Sequence, residues 1–144
     1  MDSYEKFDWQ LKKAAEAFKQ LDKKEVIRLV SHLDADGISA ASIMIKLLNN
    51  DNRKYSVSIV QQLNRAVLQQ LASEPYNCFI FTDIGSGVIS DIEDVLKGRK
   101  VFVLDHHSIE DDAKSIVFVN PHTCGIDGGK EISGSGVVFK FACA

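Results

Sequence analysis

Acidic and imidazole side chains gather at three points of the sequence, each directly after a short apolar run. The segments are SHLDADG at 31–37, TDIGSG at 82–87, and the triplet Asp105, His106 and His107. Together they hold three of the four histidines and four aspartates. A charge at the end of a buried strand is costly unless something compensates it. Carboxylates and imidazoles without a thiolate suit Mn²⁺ or Mg²⁺, so these segments predict a metal centre.

The spacing inside these segments indicates a site for two ions. His32, Asp34 and Asp36 are spaced by two residues, so on an extended segment they point to the same side. If the first and third predicted strands are neighbours, Asp83 enters between them and can bridge two ions, while His106 comes from the next strand. Two ions about 4 Å apart polarise a phosphoryl oxygen and activate a water molecule. The predicted chemistry is in-line hydrolysis of a phosphoester.

The charge of the chain is compatible with this chemistry. The formal net charge is −3, and Asp34, Asp36, Asp83 and Asp105 contribute four of the negative charges. Two divalent ions add four positive charges and bring −3 to +1, which suits an anionic substrate. Without ions the four carboxylates repel one another, so we expect the stability of the protein to depend on metal.

The remainder of the chain alternates between strand-like and helical patterns. Strand-like runs lie at 26–30, 55–60, 78–81, 101–104 and 116–119, and helical patterns at 4–21, 38–48, 66–71, 88–96 and within 132–144. Strands that are apolar on both faces and alternate with helices indicate parallel βαβ units. We predict an α/β fold, a doubly wound and mainly parallel sheet of about five strands flanked by helices, with an amphipathic helix at the N-terminus. Ligands bind such sheets at the carboxyl ends of the strands, where the polar segments lie.

Composition excludes several classes of protein. The chain has 144 residues, of which 45% are hydrophobic and 26% charged, as is typical of one globular domain. No apolar run approaches the ~20 residues of a membrane span, and the charged N-terminus lacks the apolar core of a signal peptide. Three cysteines without CxxC spacing predict neither a disulfide framework nor a zinc site. We therefore expect a cytoplasmic protein that does not associate with membranes.

The three polar segments resemble the motifs of the DHH phosphoesterase superfamily, in its RecJ-like branch. SHLDADG is similar to the first motif, TDIGSG to the second, Asp105-His106-His107 to the triplet that names the family, and ISGSGVVFKFA to the segment that follows. The resemblance runs from about residue 26 onward. It implies five metal ligands, of which Asp83 bridges: His32, Asp34, Asp36, Asp83 and His106. It further implies that His107 contacts the scissile phosphate and that Asp105 supports the imidazoles.

The resemblance also implies a cofactor, a substrate and partners. The chain is similar to archaeal RecJ-like nucleases. This resemblance implies a cofactor of two divalent ions, Mn²⁺ in preference to Mg²⁺. It also implies hydrolysis of single-stranded DNA or RNA from an end. It further implies association with GINS or other replication proteins. One alternative keeps the site and changes the substrate to short oligonucleotides, cyclic dinucleotides or pyrophosphate. Another alternative is a non-catalytic docking module of the replication machinery.

Two segments rich in glycine and serine precede predicted helices. The backbone N–H groups of Gly85, Ser86, Ser133 and Gly134 can hold a phosphate, or the serines can act as simple N-caps, and the sequence favours neither. His122, after the fifth strand, is a further candidate for contact with the substrate. A loop histidine without a role is its alternative.

Members of the superfamily carry a fourth motif with a further ligand aspartate, followed by a substrate-binding domain. No aspartate follows Asp127, and no capping glycine closes the final helical segment. We therefore expect residues 1–144 to form a DHH phosphoesterase domain that is cut short of both features, with activity impaired in this form.

Overall fold

The computed structural model describes all residues from 1 to 144, and its centre is one sheet of five strands. The strands are β1 Ile27–His32, β2 Tyr55–Val60, β3 Cys78–Thr82, β4 Lys100–Leu104 and β5 Val117–Val119. The helices are α1 Ser3–Lys19, α2 Ala35–Asn50, α3 Arg65–Ala72, α4 Ile89–Val95 and α5 Gly134–Cys143, with 3-10 turns at Ser86–Val88 and Pro121–Cys124. None of the helices combines the length and apolarity that crossing a bilayer requires.

The strand order is β2-β1-β3-β4-β5, and every neighbouring pair is parallel. The predicted doubly wound sheet is confirmed, and it is parallel throughout. β1 and β3 are neighbours, with Ile27 opposite Cys78 and Ser31 opposite Thr82. The chain leaves β1 toward β2 on one side and later returns to β3 on the other. A crevice at the carboxyl ends of β1 and β3 is therefore the expected place for a ligand.

Helices cover both faces of the sheet because the strands are apolar on both faces. On β1, Leu29 is buried in one core and Val30 in the other. Helices α1, α2 and α5 pack on the first face through residues such as Phe7, Met44 and Phe141. Helices α3 and α4 cover the second face. Burying each of these large apolar side chains contributes about 1.5–3 kcal/mol to the free energy of unfolding. The loops at the strand ends are therefore attached to a stable, well-packed sheet.

The start of α2 differs from the sequence prediction. The helix begins at Ala35 because the Asp34 carboxylate accepts a hydrogen bond from Gly37 N at 2.7 Å and caps it. Asp34 is thus the N-cap, and the segment stops being extended at that residue, ahead of the helical pattern predicted at 38–48. Gly37 permits the tight start, because a Cβ there would lie 2.1 Å from the His32 carbonyl oxygen. Asp36 consequently projects from the first turn of a helix instead of from an extended segment.

A buried arginine fastens the end of α1 to the sheet. The Arg53 guanidinium donates to the carbonyl oxygens of Leu21 at 3.0 Å and Phe18 at 3.3 Å, and to Asp51 Oδ2 at 2.6 Å. It also lies 4.7 Å from the centre of the Phe18 ring. Carbonyl groups at a helix end that have lost their donor are costly when buried.

Replacing Arg53 with methionine should lower the free energy of unfolding by about 3 kcal/mol, since the Leu21 carbonyl loses its charged donor, and the Phe18 carbonyl and the Asp51 carboxylate each lose one of two donors. Urea denaturation followed by circular dichroism measures this change. Lys54→Met is the control, because Lys54 is exposed and such surface changes stay within about 0.5 kcal/mol. Equal stability of the two variants would contradict the anchoring role of Arg53.

Candidate metal centre

The loops that follow β1, β3 and β4 converge at the predicted crevice, with Asp83 at their centre. His32 Nδ1 lies 3.9 Å from Asp83 Oδ2, and His106 Nε2 lies 3.1 Å from Asp83 Oδ1. Asp34 Oδ2 lies 3.1 Å from His32 Nδ1. Side chains of residues more than 70 positions apart along the chain therefore lie close enough together to bind one or two metal ions.

Two groups of candidate ligands share the Asp83 carboxylate. The first consists of His32, Asp34 and Asp83, and the second of Asp83, Asp105, His106 and His107. Within each group the ligand atoms lie within 4.8 Å of one another. All these residues were singled out in the sequence. A carboxylate shared by two ligand groups has the arrangement required to bridge two ions.

Asp83 itself is in an unusual state for a buried acid. Its side chain is fully buried, and neither carboxylate oxygen accepts a well-aligned hydrogen bond, although His106 Nε2 lies 3.1 Å from Oδ1. Burial raises the pKa of Asp83 to about 6; the charges of Asp36 and Asp105 add to that effect, and the contact with His106 opposes it. The backbone of Asp83 is left-handed, with φ of 58°, a region that aspartate tolerates better than most residues. His32 Nδ1 is a third buried atom without a hydrogen-bond partner. Unpartnered buried oxygen and imidazole nitrogen atoms fit a bound cation.

Asp105 is also buried, but its oxygens are occupied. They accept hydrogen bonds from His106 N at 2.8 Å, from Ser86 N at 3.0 Å and from His107 Nδ1 at 2.7 Å. Burial opposes ionisation of this carboxyl, yet the bonds from His107 and Ser86 lower its pKa overall. The same contact with Asp105 raises the pKa of His107. Asp105 thus fixes the orientation of the His107 ring and leaves Nε2 for a ligand.

The first turn of α5 binds the Asp36 carboxylate. Gly134 N and Ser135 N donate to its two oxygens at 2.8 and 2.9 Å, and His106 Nε2 lies 3.3 Å from Oδ2. Burial disfavours the charged form, but the donors from Ser135 and Gly134 lower the pKa of Asp36 overall. Asp36 therefore links α2 to α5 at the rim of the cluster. For Asp34, the hydrogen bond from Gly37 N lowers the pKa of the carboxyl.

Gly134 lies against the central carboxylate. A Cβ atom at this position would stand 2.2 Å from Asp83 Oδ1 and 2.7 Å from its Cγ. Real Cβ contacts are never that short, so a residue with a side chain would displace Asp83 or α5. The sequence showed Gly134 only as a candidate phosphate contact or cap residue, and the packing gives it a steric role as well.

The remaining predicted phosphate contacts are placed in different surroundings. Ser86 is buried, with its N–H bound to Asp105 and its Oγ accepting from Asn120. Gly85 precedes it with φ of 118°. Ser133 caps α5 by accepting from Gly136 N at 3.0 Å. His122 lies in the second 3-10 turn and belongs to neither ligand group.

Three supporting residues were missed in the sequence. The Gly128 carbonyl contacts His106 Nδ1 at 2.8 Å, which leaves Nε2 facing Asp83. The Gln61 carbonyl contacts His32 Nε2 at 3.0 Å and leaves Nδ1 facing the cluster. Asn120 is fully buried and donates to Ser86 Oγ and to the His107 carbonyl. Only Asn120, a polar residue that ends an apolar run before a proline, left a signal in the sequence.

Metal binding should displace a proton from His106 and should therefore strengthen as the pH rises. The contact with Asp83 raises the pKa of His106 to about 9, so the ring is protonated at pH 7 and must become neutral to bind an ion. We expect release of about one proton at pH 7 and roughly tenfold tighter Mn²⁺ binding per pH unit up to about pH 9. Calorimetry in two buffers of different protonation enthalpy measures the proton release. Affinity that does not change between pH 7 and 9 would contradict this prediction.

Known proteins resemble this chain in sequence and in fold. Residues 26–144 match the DHH family, N-terminal domain. An uncharacterised protein of Methanocaldococcus jannaschii is 35% identical over 143 residues, which cover 92% of this chain and 32% of that protein. The single-stranded-DNA-specific exonuclease RecJ of Bacillus subtilis is 26% identical over 155 residues, covering 99% of this chain and 20% of RecJ.

A crystal structure of exonuclease RecJ bound to manganese shares the fold. Its TM-score is 0.77 at 21% identity, and the match covers 92% of this chain and 36% of that one. The chain therefore spans about a third or less of the length of the proteins it resembles.

Proposed function

The chain belongs to the DHH family, and from that premise we propose that it is a metal-dependent phosphodiesterase that removes nucleotides from an end of single-stranded DNA or RNA. One observation carries the proposal, namely the buried and unpartnered Asp83 carboxylate that both ligand groups share. A buried charge of this kind is tolerated when a cation compensates it. The substrate class is taken from the single-stranded-DNA-specific exonuclease RecJ, whose similarity to this chain covers 99% of the chain and 20% of RecJ.

We assign the ligands from their contacts with one another. His32 and Asp34 would hold one ion and His106 the other, with Asp83 shared between them. Asp36 belongs to neither ligand group, but its Oδ2 lies 3.3 Å from His106 Nε2, so it would join the second ion. Bound in this way, two divalent ions would polarise the phosphoryl oxygen and lower the pKa of an attacking water. Mn²⁺ is the proposed ion, because the mixed carboxylate and imidazole ligands suit it and a RecJ structure of the same fold contains manganese.

His107 would act on the phosphate directly. Its Nδ1 is held by the buried Asp105 carboxylate at 2.7 Å, and the resulting rise in pKa favours the protonated ring. Nε2–H is then available to donate a hydrogen bond to a phosphoryl oxygen as negative charge develops there. Asp105 positions this donor and does not itself contact the substrate.

Cleavage of labelled single strands tests the proposal. Because activity is expected to be impaired in residues 1–144, oligonucleotides labelled at the 5′ or 3′ end should be shortened slowly in the presence of Mn²⁺ and remain intact in EDTA. His107→Ala should reduce the rate at least 100-fold while the circular dichroism spectrum is retained, because a donor to the developing charge is lost. Cleavage that persists in EDTA, or at an unchanged rate in His107→Ala, would overturn the proposal. The domain assignment and the association with GINS stay predictions.

A further inference from the structure

Strand β2 forms one edge of the sheet and leaves a row of its backbone groups without a strand partner. It pairs with β1 alone, over all six of its residues. Lys54 O accepts a hydrogen bond from Ile27 N at 2.9 Å, and in a parallel ladder every second residue faces the same neighbour. The residues of β2 with even numbers therefore face β1. The N–H and C=O groups of Tyr55, Val57 and Ile59 point away from the sheet.

This edge lacks the features that usually protect an open strand. Proteins shield such edges with a proline, a charged side chain, a bulge or a very short strand. The sequence of β2, YSVSIV, contains neither proline nor charge, and its pairing with β1 is continuous. At the opposite edge, β5 has only three residues. The sheet thus has one edge that is protected by its shortness and one that is open to a further strand.

Exposed apolar side chains lie along the open edge. Val57 is opposite Leu29 of β1, which is buried in the core that α2 covers. Ile59 is two residues further on and points to the same face of the sheet. The exposed fraction is 37% for Val57 and 44% for Ile59. An apolar surface therefore accompanies the free backbone groups.

Helix α2 extends this surface. Ile38, Ile45 and Asn49 recur at spacings of seven and four residues, so they share one face of the helix. The Tyr55 hydroxyl donates to Asn49 Oδ1 at 2.8 Å, which places that face toward β2. Ile38 is 51% exposed and Ile45 is half-buried. We call four residues the edge stripe: Ile38, Ile45, Val57 and Ile59.

We propose that the β2 edge binds a second copy of this chain, with the two β2 strands antiparallel about a two-fold axis at Val57. In this register Val57 lies opposite itself and Tyr55 lies opposite Ile59. The residues whose N–H and C=O groups point outward in one copy then meet those of the other copy. Lys54 lies opposite Val60, so no like charges face each other along the strands. The edge stripes of the two copies come into contact on the same face of the combined sheet.

A second copy satisfies this edge more completely than a single extended segment of another protein would. Two-fold pairing uses both open edges at once and gives a closed dimer, whereas an added strand presents a new open edge of its own. The β2 strand and the edge stripe carry no charge, so their burial leaves no charge unpaired. The inference is independent of the proposed function, because none of the proposed metal ligands takes part.

The size of the contact sets the expected affinity. A strand of six residues is about 20 Å long. A contact that is one strand and one helix wide along this length is smaller than the typical ~800 Å² per partner. We therefore expect a weak dimer, with a dissociation constant of about 1–100 μM.

Sedimentation velocity of residues 1–144 tests the dimer, at concentrations tenfold below and above the expected range. Wild type should change from monomer to dimer, equally in EDTA and in Mn²⁺. Val57→Lys places two like charges at the axis and should weaken the dimer at least 30-fold. Phe139→Lys is the control, because it also removes an exposed apolar side chain, but on α5. Its dissociation constant should stay within twofold of wild type, and circular dichroism establishes that both variants are folded.

A cysteine at the axis tests the register. With Cys124 and Cys143 replaced by serine, Val57→Cys should form a disulfide between copies under mild oxidation. Directly opposed residues have Cα atoms about 5.5 Å apart, within the range of a disulfide. Ile59→Cys should stay reduced, because it lies opposite Tyr55 and is more than about 10 Å from Ile59 of the second copy.

Four results would overturn the proposal. A protein that stays monomeric at the highest concentration means that another partner, or none, covers the edge. A dimer that Val57→Lys leaves unchanged uses a different surface, and oligomers that grow beyond two copies are not closed by a two-fold axis. Equal cross-linking of Val57→Cys and Ile59→Cys contradicts the register, and this comparison decides alone if Val57→Lys does not fold. Each of these results leaves the phosphodiesterase proposal standing.

Discussion

Replacing Asp83 with asparagine should make the ion-free protein more stable and abolish its response to Mn²⁺. The pKa of Asp83 is raised to about 6 from an ordinary value of 3.8. The stability that protonated Asp83 contributes is present below pH 4 and is lost as the pH rises through about 6. Above pH 7 the wild type holds an ionised, buried carboxylate, whereas asparagine is neutral at every pH.

The expected gain for Asp83→Asn in EDTA at pH 8 is about 1 kcal/mol. The rise of the Asp83 pKa from 3.8 to about 6 corresponds to nearly 3 kcal/mol. The buried amide hydrogens of asparagine and the loss of the contact between Asp83 and the protonated His106 ring cost part of that. The gain should disappear near pH 4, where wild-type Asp83 is protonated. Asparagine also tolerates the left-handed backbone at this position, so the fold should persist.

Addition of Mn²⁺ should reverse the order of stability. At an ion concentration 100 times the dissociation constant, wild type gains about 2.7 kcal/mol, and Asp83→Asn gains almost nothing. Thermal unfolding of both proteins measures their stability under four conditions, with EDTA or with Mn²⁺, each at pH 5 and at pH 8. Asp111→Asn removes an exposed loop carboxylate and should follow wild type in each. An Asp83→Asn protein that is less stable than wild type in EDTA, or equally stabilised by Mn²⁺, would contradict the assignment of Asp83 as the shared ligand.

Gly134→Ala should weaken Mn²⁺ binding more than 100-fold although it changes no ligand. The added Cβ would stand 2.2 Å from Asp83 Oδ1, so either the carboxylate or the start of α5 must move. A displacement of this kind separates the shared ligand from both groups. Overpacking of this kind costs about 1–3 kcal/mol of stability, which alanine recovers in part through its higher helix propensity.

Gly87→Ala is the matched control for this experiment. A Cβ at Gly87 meets no atom within 4 Å, so the same chemical change should leave Mn²⁺ affinity unaltered. Calorimetric titration with Mn²⁺ measures both affinities, and far-UV circular dichroism establishes that both variants are folded. Wild-type affinity in Gly134→Ala would show that Asp83 binds no ion in the position the structure gives it.

The sheet and the chemical groups of the centre were predictable because they depend on local pattern. Apolar runs such as CFIF at 78–81 indicate buried parallel strands, and acids at their ends, such as Asp83, are costly without a ligand. Parallel strands bring their carboxyl ends to one edge. Because β1 and β3 are neighbours, His32, Asp83 and His106 lie close together at that edge.

The parts that were not predictable depend on contacts between distant segments. Nothing near Gly134 in the sequence shows that Asp83 packs against it, and nothing near Gly128 shows that its carbonyl contacts His106. The helical pattern was predicted to start at 38, whereas α2 starts at Ala35, because only the hydrogen bond from Gly37 N identifies Asp34 as the cap. Spacing along the chain identifies the chemical groups, and packing decides which of their atoms are free.

The contact of Asp36 with the first turn of α5 also has a kinetic consequence. It joins residues separated by 98 positions, so its formation closes a long loop and must follow the assembly of the sheet between them. We expect the amides of Gly134 and Ser135 to gain protection from hydrogen exchange later in refolding than those of β1 and β3. The sheet edge that carries the candidate metal centre would then be the last of these regions to fold, and a partly folded chain would expose an acidic cleft until α5 docks.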